Sequence, residues 1–137
     1  MDPVIKRRVT SFGDAVASLC AAIAAVEVTP EFRRDTALLR FQLAAEFAPK
    51  VTRQVLSAVY SVEASVPREV FRESLQARLV SEADAEILLK MVGDRNRMVH
   101  DYNERYADSL LDRVSETYAP ALVRLHGALD KAIALSA

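Results

Sequence analysis

An arginine, a histidine and a tyrosine fall within about two helical turns in the segment RNRMVHDY, residues 95–102. Histidine changes charge near neutral pH, whereas arginine stays cationic and can donate two parallel N–H groups to a phosphate. The chain has two histidines, and only His100 lies close in sequence to both an arginine and a tyrosine of this segment. The spacing Arg95-x4-His100-x-Tyr102 therefore favours chemistry on a phosphodiester.

Arg95 lies in the middle of an apolar stripe. The residues at helical spacings of three, four and seven from it are Leu88, Met91, Val92, Met98, Val99 and Tyr102. A guanidinium buried there without a partner would cost several kcal/mol. Two interpretations stay open. Arg95 forms a structural salt bridge with an acidic side chain such as Glu46 or Asp35, or the stripe faces a cleft or subunit interface where Arg95 binds phosphate.

The helical geometry of this segment sets a constraint on any shared site. At about 100° per residue, Arg95 and Tyr102 project nearly together, whereas His100 lies about 140° away, on the side of Asn96. One straight helix cannot direct all three side chains at a single point. The sequence therefore predicts that the helix unwinds around His100, or that two protomers pool their residues.

The elements that must position this segment are predicted to be helices. Three glycines and five prolines in 137 residues leave little material for hairpins, which argues against an all-β fold. The first helix carries an apolar stripe: Val9, Phe12, Val16, Leu19, Ile23 and Val26. Thr29 and Pro30 cap and open a second helix, in which Pro49 predicts a kink or two abutting helices.

The second half of the chain continues the same pattern. Pro67 starts a short helix that runs to about Arg78, and a fourth helix runs from the capping-box-like segment at 81–84 to about His100. A last long helix follows, with a bend expected at Pro120. We predict one domain, residues 1–137, folded as an all-α, antiparallel up-and-down bundle of four long helices plus a short one.

Charge and cysteine content narrow the class of protein. The 18 basic and 19 acidic residues give a net charge of −1, so any contact with RNA must be local. The lone Cys20 forms no internal disulfide, which fits a reducing cytoplasm. The segment 6–26 superficially resembles a signal peptide, but its helical stripe and Asp14 favour a bundle helix, with no secretion and no membrane span.

Several blocks of this chain resemble the HEPN superfamily, in particular its nucleotidyltransferase substrate-binding and HepT-like toxin branch. They cover roughly residues 9–125. The quoted segments are TALLRFQLAAEFAPK (36–50), VPREVFRES (66–74), DRN (94–96) and HDYNE (100–104). The Arg-x4-His-x-Tyr motif alone is moderately specific. In this order with the other blocks, the resemblance is strong.

The resemblance implies a homodimer with the motif at the subunit cleft, acting on RNA without a metal or other cofactor. His100 would then activate the ribose 2′-hydroxyl or assist proton transfer, and Arg95 would stabilise the charge on the phosphorane. Asn96 could orient the phosphate or the histidine. Asp94 could set the histidine tautomer or pair with Arg97; a surface ion pair is the plainer role for it.

The resemblance also implies regulation by a separately encoded minimal nucleotidyltransferase. In the toxin branch that partner adds AMP to the motif tyrosine, here Tyr102, although a tyrosine at the end of a core stripe explains it equally. The alternative is a non-catalytic subunit that binds a nucleotide for the nucleotidyltransferase. A third option is an interaction bundle whose motif only maintains the dimer.

Other charged side chains are ambiguous. Lys50, Arg53, Arg68 and Arg72 could extend a basic rim for RNA, although solvated helix faces explain them as well. His126, alone on the last helix, is expected to be exposed to solvent.

Overall fold

The computed structural model describes residues 1–136, and within them it contains helices and turns but no strand. The helices are α1 (Pro3–Ala24), α2 (Pro30–Tyr60), α3 (Pro67–Gln76), α4 (Glu82–His100), α5 (Glu104–Arg113) and α6 (Ala119–Leu135). A π-helical segment, Val114–Tyr118, joins α5 to α6 without a break. The chain thus forms four long helical rods and the short α3. The predicted all-α bundle is confirmed.

Local sequence signals determine where the helices begin. Four of them start after a residue whose side chain accepts a hydrogen bond from a backbone N–H of the first turn: Asp2, Thr29, Ser81 and Asn103. Proline occupies the first position of α1, α2 and α3, where its missing N–H would have had no partner within the helix. The Ser81 cap fixes the start of α4 and therefore the register of the motif within that helix.

The core lies around α2, which packs against every other helix. The largest fully buried side chains are Phe12, Phe41, Phe71, Leu19, Leu38, Leu56, Leu88, Met91, Leu110, Leu122, Leu125 and Leu129. Because they come from all the long rods and from α3, the bundle has one continuous core. No helix among residues 1–136 is long and apolar enough to cross a membrane.

The structure decides one of the two alternatives that were open at Pro49 and shows an irregularity near Pro120. Pro49 does not divide α2 into two helices, because a single helix runs from Pro30 through Pro49 to Tyr60. An interior proline costs about 3 kcal/mol if unrelieved, and Pro49 is buried, so packing of its ring offsets part of that cost. Near Pro120 the irregularity is the π-helical segment, which ends just before α6 begins.

The π-helical segment turns Tyr118 into the bundle. Its ring stacks on Phe41 with a centroid distance of 5.7 Å, and its hydroxyl donates to Asp94 Oδ2. Wider helical turns of this kind occur mostly as single-turn bulges and often lie beside functional sites. Here the segment brings a phenol from the last rod to the base of the motif on α4.

Candidate functional site

Arg95 faces α2, where it meets one of the two carboxylates expected for it. Its Nη2 lies 3.3 Å from Glu46 Oε2, and its side chain is 27% exposed. Glu46 is 44% exposed, so this ion pair lies at the wall of an open cleft and not in a closed core. Arg95 Nε is buried and has no hydrogen-bond acceptor among residues 1–136. The guanidinium therefore keeps donors that its carboxylate partner does not satisfy.

The cleft beside Arg95 has a volume of about 440 Å³. Arg95 and Asn96 line it from α4, and the facing wall is built by α2, the start of α3 and the beginning of α1. Its charged lining consists of Arg8, Glu46, Lys50, Arg53 and Arg95. Lys50 and Arg53 were considered for a basic rim. Arg8 was missed, because nothing local in the sequence relates it to a motif some ninety residues away.

His100 is the last residue of α4, and its side chain is exposed. The chain leaves helical geometry at Asp101, which has φ −125° and ψ 29°. The next helix competes for these residues, because Asn103 Oδ1 accepts the N–H of Tyr106 at 2.9 Å and caps α5. The helix therefore ends at His100, and the predicted unwinding at this residue occurs.

In a continuous helix Tyr102 would project on the same side as Arg95. The structure does not place it there. It lies beyond the end of α4, half-exposed, and its hydroxyl is 3.5 Å from Asp35 Oδ1. Asp35 and Glu46 are eleven residues apart on α2, about 16 Å along its axis. Burial and the charge of Asp35 raise the pKa of Tyr102, so the phenol is protonated at neutral pH. The structure thus separates the tyrosine from the arginine.

Asp94 is paired within the protein. Its carboxylate accepts hydrogen bonds from Arg113 Nε at 2.8 Å, Arg113 Nη2 at 2.9 Å, Tyr106 Oη at 2.7 Å and the Tyr118 hydroxyl. Burial alone would raise the pKa of Asp94, but the hydrogen bonds from Arg113, Tyr118 and Tyr106 outweigh it and hold the pKa below its usual value. In turn, burial and Asp94 raise the pKa of Tyr106 to about 12. Asp94 thus anchors α4 to the last rod.

The ion pair considered between Asp94 and Arg97 is not the one that forms. Asp94 pairs with Arg113 instead, and the periodicity of α4 alone could not predict this partner. Arg97 is exposed, and its guanidinium stacks over the Tyr106 ring at 4.6 Å from the centroid. Asp94 and Arg97 therefore face α5, whereas Arg95 and Asn96 face α2.

The structure divides the predicted site residues: Arg95 and Asn96 share the cleft at α2, whereas Asp94 and Arg97 share a pocket at α5, and neither place includes His100 or Tyr102. His100 stands at the end of α4, about 140° around the helix and about 7 Å along it from Arg95. His126, expected to be solvent-exposed, is half-buried: its ring packs edge-on against Phe12 and lies over Gly13. Within residues 1–136, no cluster of three or more His, Cys, Asp or Glu side chains is arranged to hold a metal ion.

The family model described as "Nucleotidyltransferase substrate binding protein like" matches residues 7–131. The chain belongs to this family. No functionally curated protein matches the chain. A crystal structure of a protein from Thermus thermophilus is 29% identical and superposes with a TM-score of 0.78 over 86% of this chain and 98% of that one.

The chain also shares the fold of HEPN toxins. An AMPylated Shewanella oneidensis HEPN toxin, solved in complex with its MNT antitoxin, superposes with a TM-score of 0.76 over 96% of this chain and 99% of that one, at 17% identity. A mutant MntA–HpeT toxin–antitoxin structure gives 0.76 over 95% and 99%, at 16% identity. The predicted nucleotidyltransferase substrate-binding family is confirmed, and so is the predicted fold, which is the fold of these HEPN toxins.

Proposed function

We propose that this HEPN protein is a metal-independent endoribonuclease of the toxin type, with its site in the cleft of a homodimer. The observation that carries the proposal is the state of Arg95, a cation on an apolar stripe that keeps unsatisfied donors beside an open, basic cleft. Phosphodiester cleavage needs such a group, because negative charge builds up on the phosphate oxygens in the transition state.

The proposed reaction is a transesterification. His100 takes the proton of the ribose 2′-hydroxyl, whose oxygen attacks the adjacent phosphorus. Arg95 and Asn96 hold the phosphate oxygens while the 2′-O–P bond forms and the bond from phosphorus to the 5′-oxygen breaks. The leaving 5′-oxygen takes up a proton from water. The products are a 2′,3′-cyclic phosphate and a 5′-hydroxyl end. Asp94 has a supporting role in this scheme, since Arg113, Tyr106 and Tyr118 already occupy its carboxylate. Arg97, exposed on the α5 side, contacts the RNA backbone.

The reaction is tested with a defined RNA oligonucleotide in EDTA. The wild-type protein is expected to cleave it, and His100→Ala and Arg95→Ala to lose about 10²–10⁴-fold in rate. His126→Ala is the matched control, since it removes the other histidine far from the motif. A 2′-deoxy substitution at the scissile nucleotide is expected to block cleavage. Absence of cleavage, or equal rates in wild type and both motif variants, contradicts the proposal.

A second copy of the chain completes the site in this proposal. Arg95 and His100 diverge within one protomer, and the surface between them and α2 carries four half-exposed apolar side chains: Leu39, Leu43, Val99 and Tyr102. Three of these, Leu39, Val99 and Tyr102, line one shallow groove. Contiguous apolar surface of this kind marks an interface in soluble proteins. In a two-fold dimer the same patch meets itself, which brings each α4 end close to its partner.

The dimer is tested by the molar mass of the purified protein in light scattering. Leu43→Glu and Val99→Glu are expected to convert a dimer into a monomer and to abolish cleavage. Val123→Glu is the control, because this valine on α6 is as exposed as Val99, at 50% against 53%. A monomeric wild-type protein, or dimers that survive both substitutions, contradicts a composite site.

The regulatory partner proposed here is a separately encoded minimal nucleotidyltransferase, by analogy with the toxin–antitoxin complexes of the same fold. Tyr102 is the proposed acceptor. Its oxygen attacks the α-phosphorus of ATP, pyrophosphate leaves, and the phenolic proton passes to a base of the partner. Mass spectrometry is expected to find adenylate on the wild-type protein and none on Tyr102→Phe. Adenylate elsewhere, with Tyr102 unmodified, contradicts this role.

A second candidate function is a non-catalytic subunit that holds a nucleotide for the nucleotidyltransferase. The family description favours it. Copurification with a nucleotidyltransferase, nucleotide binding, and RNA left intact by wild-type protein would support this candidate over the nuclease.

A further inference from the structure

The cleft beside Arg95 is strongly basic, although the chain as a whole carries a net charge of −1. Four cations line it, Arg8 from α1, Lys50 and Arg53 from α2, and Arg95 from α4, against the single carboxylate of Glu46. Among residues 1–136, neither Arg8 nor Arg53 forms an ion pair. Four cations gathered on one cleft with a single carboxylate among them attract anions there.

Glu46 holds two of these cations loosely. Its Oε2 lies 3.3 Å from Arg95 Nη2, and its Oε1 lies 4.0 Å from Lys50 Nζ. Charge-assisted hydrogen bonds are usually shorter, about 2.7–2.9 Å. An anion with better geometry can therefore replace this carboxylate, which is partly exposed and free to turn away.

The remaining lining suits a small polar molecule. Gln54, Ser65 and Asn96 supply amide and hydroxyl groups, while Pro49, Pro67 and Val92 supply apolar wall. Two of the three buried side-chain polar atoms without a partner in the described part of the chain, Gln54 Oε1 and Arg95 Nε, belong to residues of this lining. Its volume of about 440 Å³ falls in the range of small-ligand sites, about 300–1,000 Å³.

The start of α3 adds a further positive contribution. α3 begins at Pro67, which lines the cleft, and its N-cap residue Val66 offers no side-chain acceptor to the first turn. The uncapped N–H groups of a helix start carry a partial positive charge that favours anions. Glu69, in the first turn of α3, offsets part of this charge, so the cations remain the main attraction for an anion.

We propose that this cleft binds one free nucleoside polyphosphate, with its phosphates among Arg8, Lys50, Arg53 and Arg95 and its nucleoside toward the proline-lined wall. Single-stranded RNA carries one charge per nucleotide, whereas a triphosphate concentrates its charge on three adjacent groups. Four cations around one small cleft match the second distribution better. The inference rests on the substrate-binding candidate above and gives it a site, which shares Arg95 and Asn96 with the nuclease proposal but is defined by Arg8, Lys50 and Arg53.

The site is tested by calorimetric titration with ATP, ADP, AMP and adenosine in EDTA. The titrations use the His100→Ala protein, so that they are independent of any RNA cleavage. Affinity is expected to rise from AMP to ATP, with no binding of adenosine. Arg53→Ala and Lys50→Ala are each expected to weaken ATP binding by about tenfold. Arg72→Ala, an exposed arginine outside the cleft, is expected to leave the affinity unchanged, and Glu46→Gln to increase it.

The competing outcomes are distinct. Failure of every nucleotide to bind, or equal affinity in wild type, Arg53→Ala and Lys50→Ala, overturns the site. Tripolyphosphate binding as tightly as ATP overturns the assignment to a nucleotide. A short RNA that binds through Lys50 and Arg53 when ATP does not makes the cleft part of the RNA track, which also overturns it. All the substituted side chains are exposed or, for Glu46, partly exposed, and circular dichroism checks that each variant is folded.

Discussion

Replacing Asp94 by asparagine removes the charge on which Arg113, Tyr106 and Tyr118 converge. The Asp94 side chain is 15% exposed and that of Arg113 is 38% exposed, so the pair is only partly shielded from solvent. Removing one partner of a fully buried pair costs about 3–5 kcal/mol. Solvent screening of Arg113 and the remaining amide oxygen reduce this, and we expect the free energy of unfolding to fall by about 2–3 kcal/mol.

The assay is urea unfolding at one fixed protein concentration, followed by circular dichroism. A thermal scan provides a second measurement. For a domain of this size a change of 1 kcal/mol shifts the melting temperature by about 4 °C, so Asp94→Asn is expected to melt about 8–12 °C below the wild type. Asp84→Asn is the matched control. Asp84 also forms a bidentate pair, with Arg124, but that arginine is 52% exposed. We therefore expect Asp84→Asn to lower the free energy of unfolding by only about 0–1 kcal/mol.

The pH dependence of the stability provides a second test of the Asp94–Arg113 pair. The pKa of Asp94 is lower in the folded protein than in the unfolded chain, where it is about 4. The stabilisation of the fold by the ionised Asp94 is therefore complete above about pH 4 and is lost as the pH falls through the folded pKa. The stability difference between wild type and Asp94→Asn is therefore expected to narrow below about pH 4. A difference no larger than that of Asp84→Asn at pH 7, or one that stays constant down to pH 2, would refute the reasoning.

Three further substitutions test the packing. A Cβ at Gly13 would lie 2.5 Å from His126 Nε2, and overpacking of this kind costs about 1–3 kcal/mol. Alanine in α1 recovers about 1 kcal/mol of helix propensity, so Gly13→Ala is expected to cost about 1 kcal/mol net in urea unfolding. Adding His126→Ala should then relieve most of that cost, and a Gly13→Ala protein as stable as wild type contradicts the contact. Thr52 Oγ1 is buried without a partner, so Thr52→Val is expected to stabilise by about 1 kcal/mol, and destabilisation would reveal a missed hydrogen bond. Tyr102→Phe loses only a 3.5 Å contact to Asp35 at an exposed site, so its melting curve should match wild type within about 0.5 kcal/mol.

Signals that act within a few residues predicted the fold well. Ser81 caps α4, proline opens α1, α2 and α3, and the stripe around Leu88 sets which face of α4 is buried. Pro49 shows the limit of such rules, because they left open a kink or two abutting helices, and the structure has a single helix in which Pro49 is buried. The end of α4 at His100 was predicted from the motif, but its physical cause is the Asn103 cap of the following helix.

The site was less predictable, because its partners come from distant parts of the chain. Glu46 was one of two carboxylates considered for Arg95, and the structure selects it. Nothing on α4 itself shows that Asp94 meets Arg113 and Tyr118, since the register of the last rod depends on the π-helical segment. Arg8 was missed and His126 was wrongly expected to be exposed for the same reason. Their surroundings are set by how α1 packs against α2 and α6.

The most direct test of a composite site is RNA cleavage by a heterodimer that joins an Arg95→Ala protomer to a His100→Ala protomer. The two chains are coexpressed with different affinity tags and purified through both. Each parent homodimer is expected to be inactive, and the heterodimer, with one intact site of two, is expected to recover about half of the wild-type rate in EDTA. A heterodimer as inactive as both parents would contradict pooling of Arg95 and His100 across the dimer. Parents as active as wild type would contradict the chemistry itself.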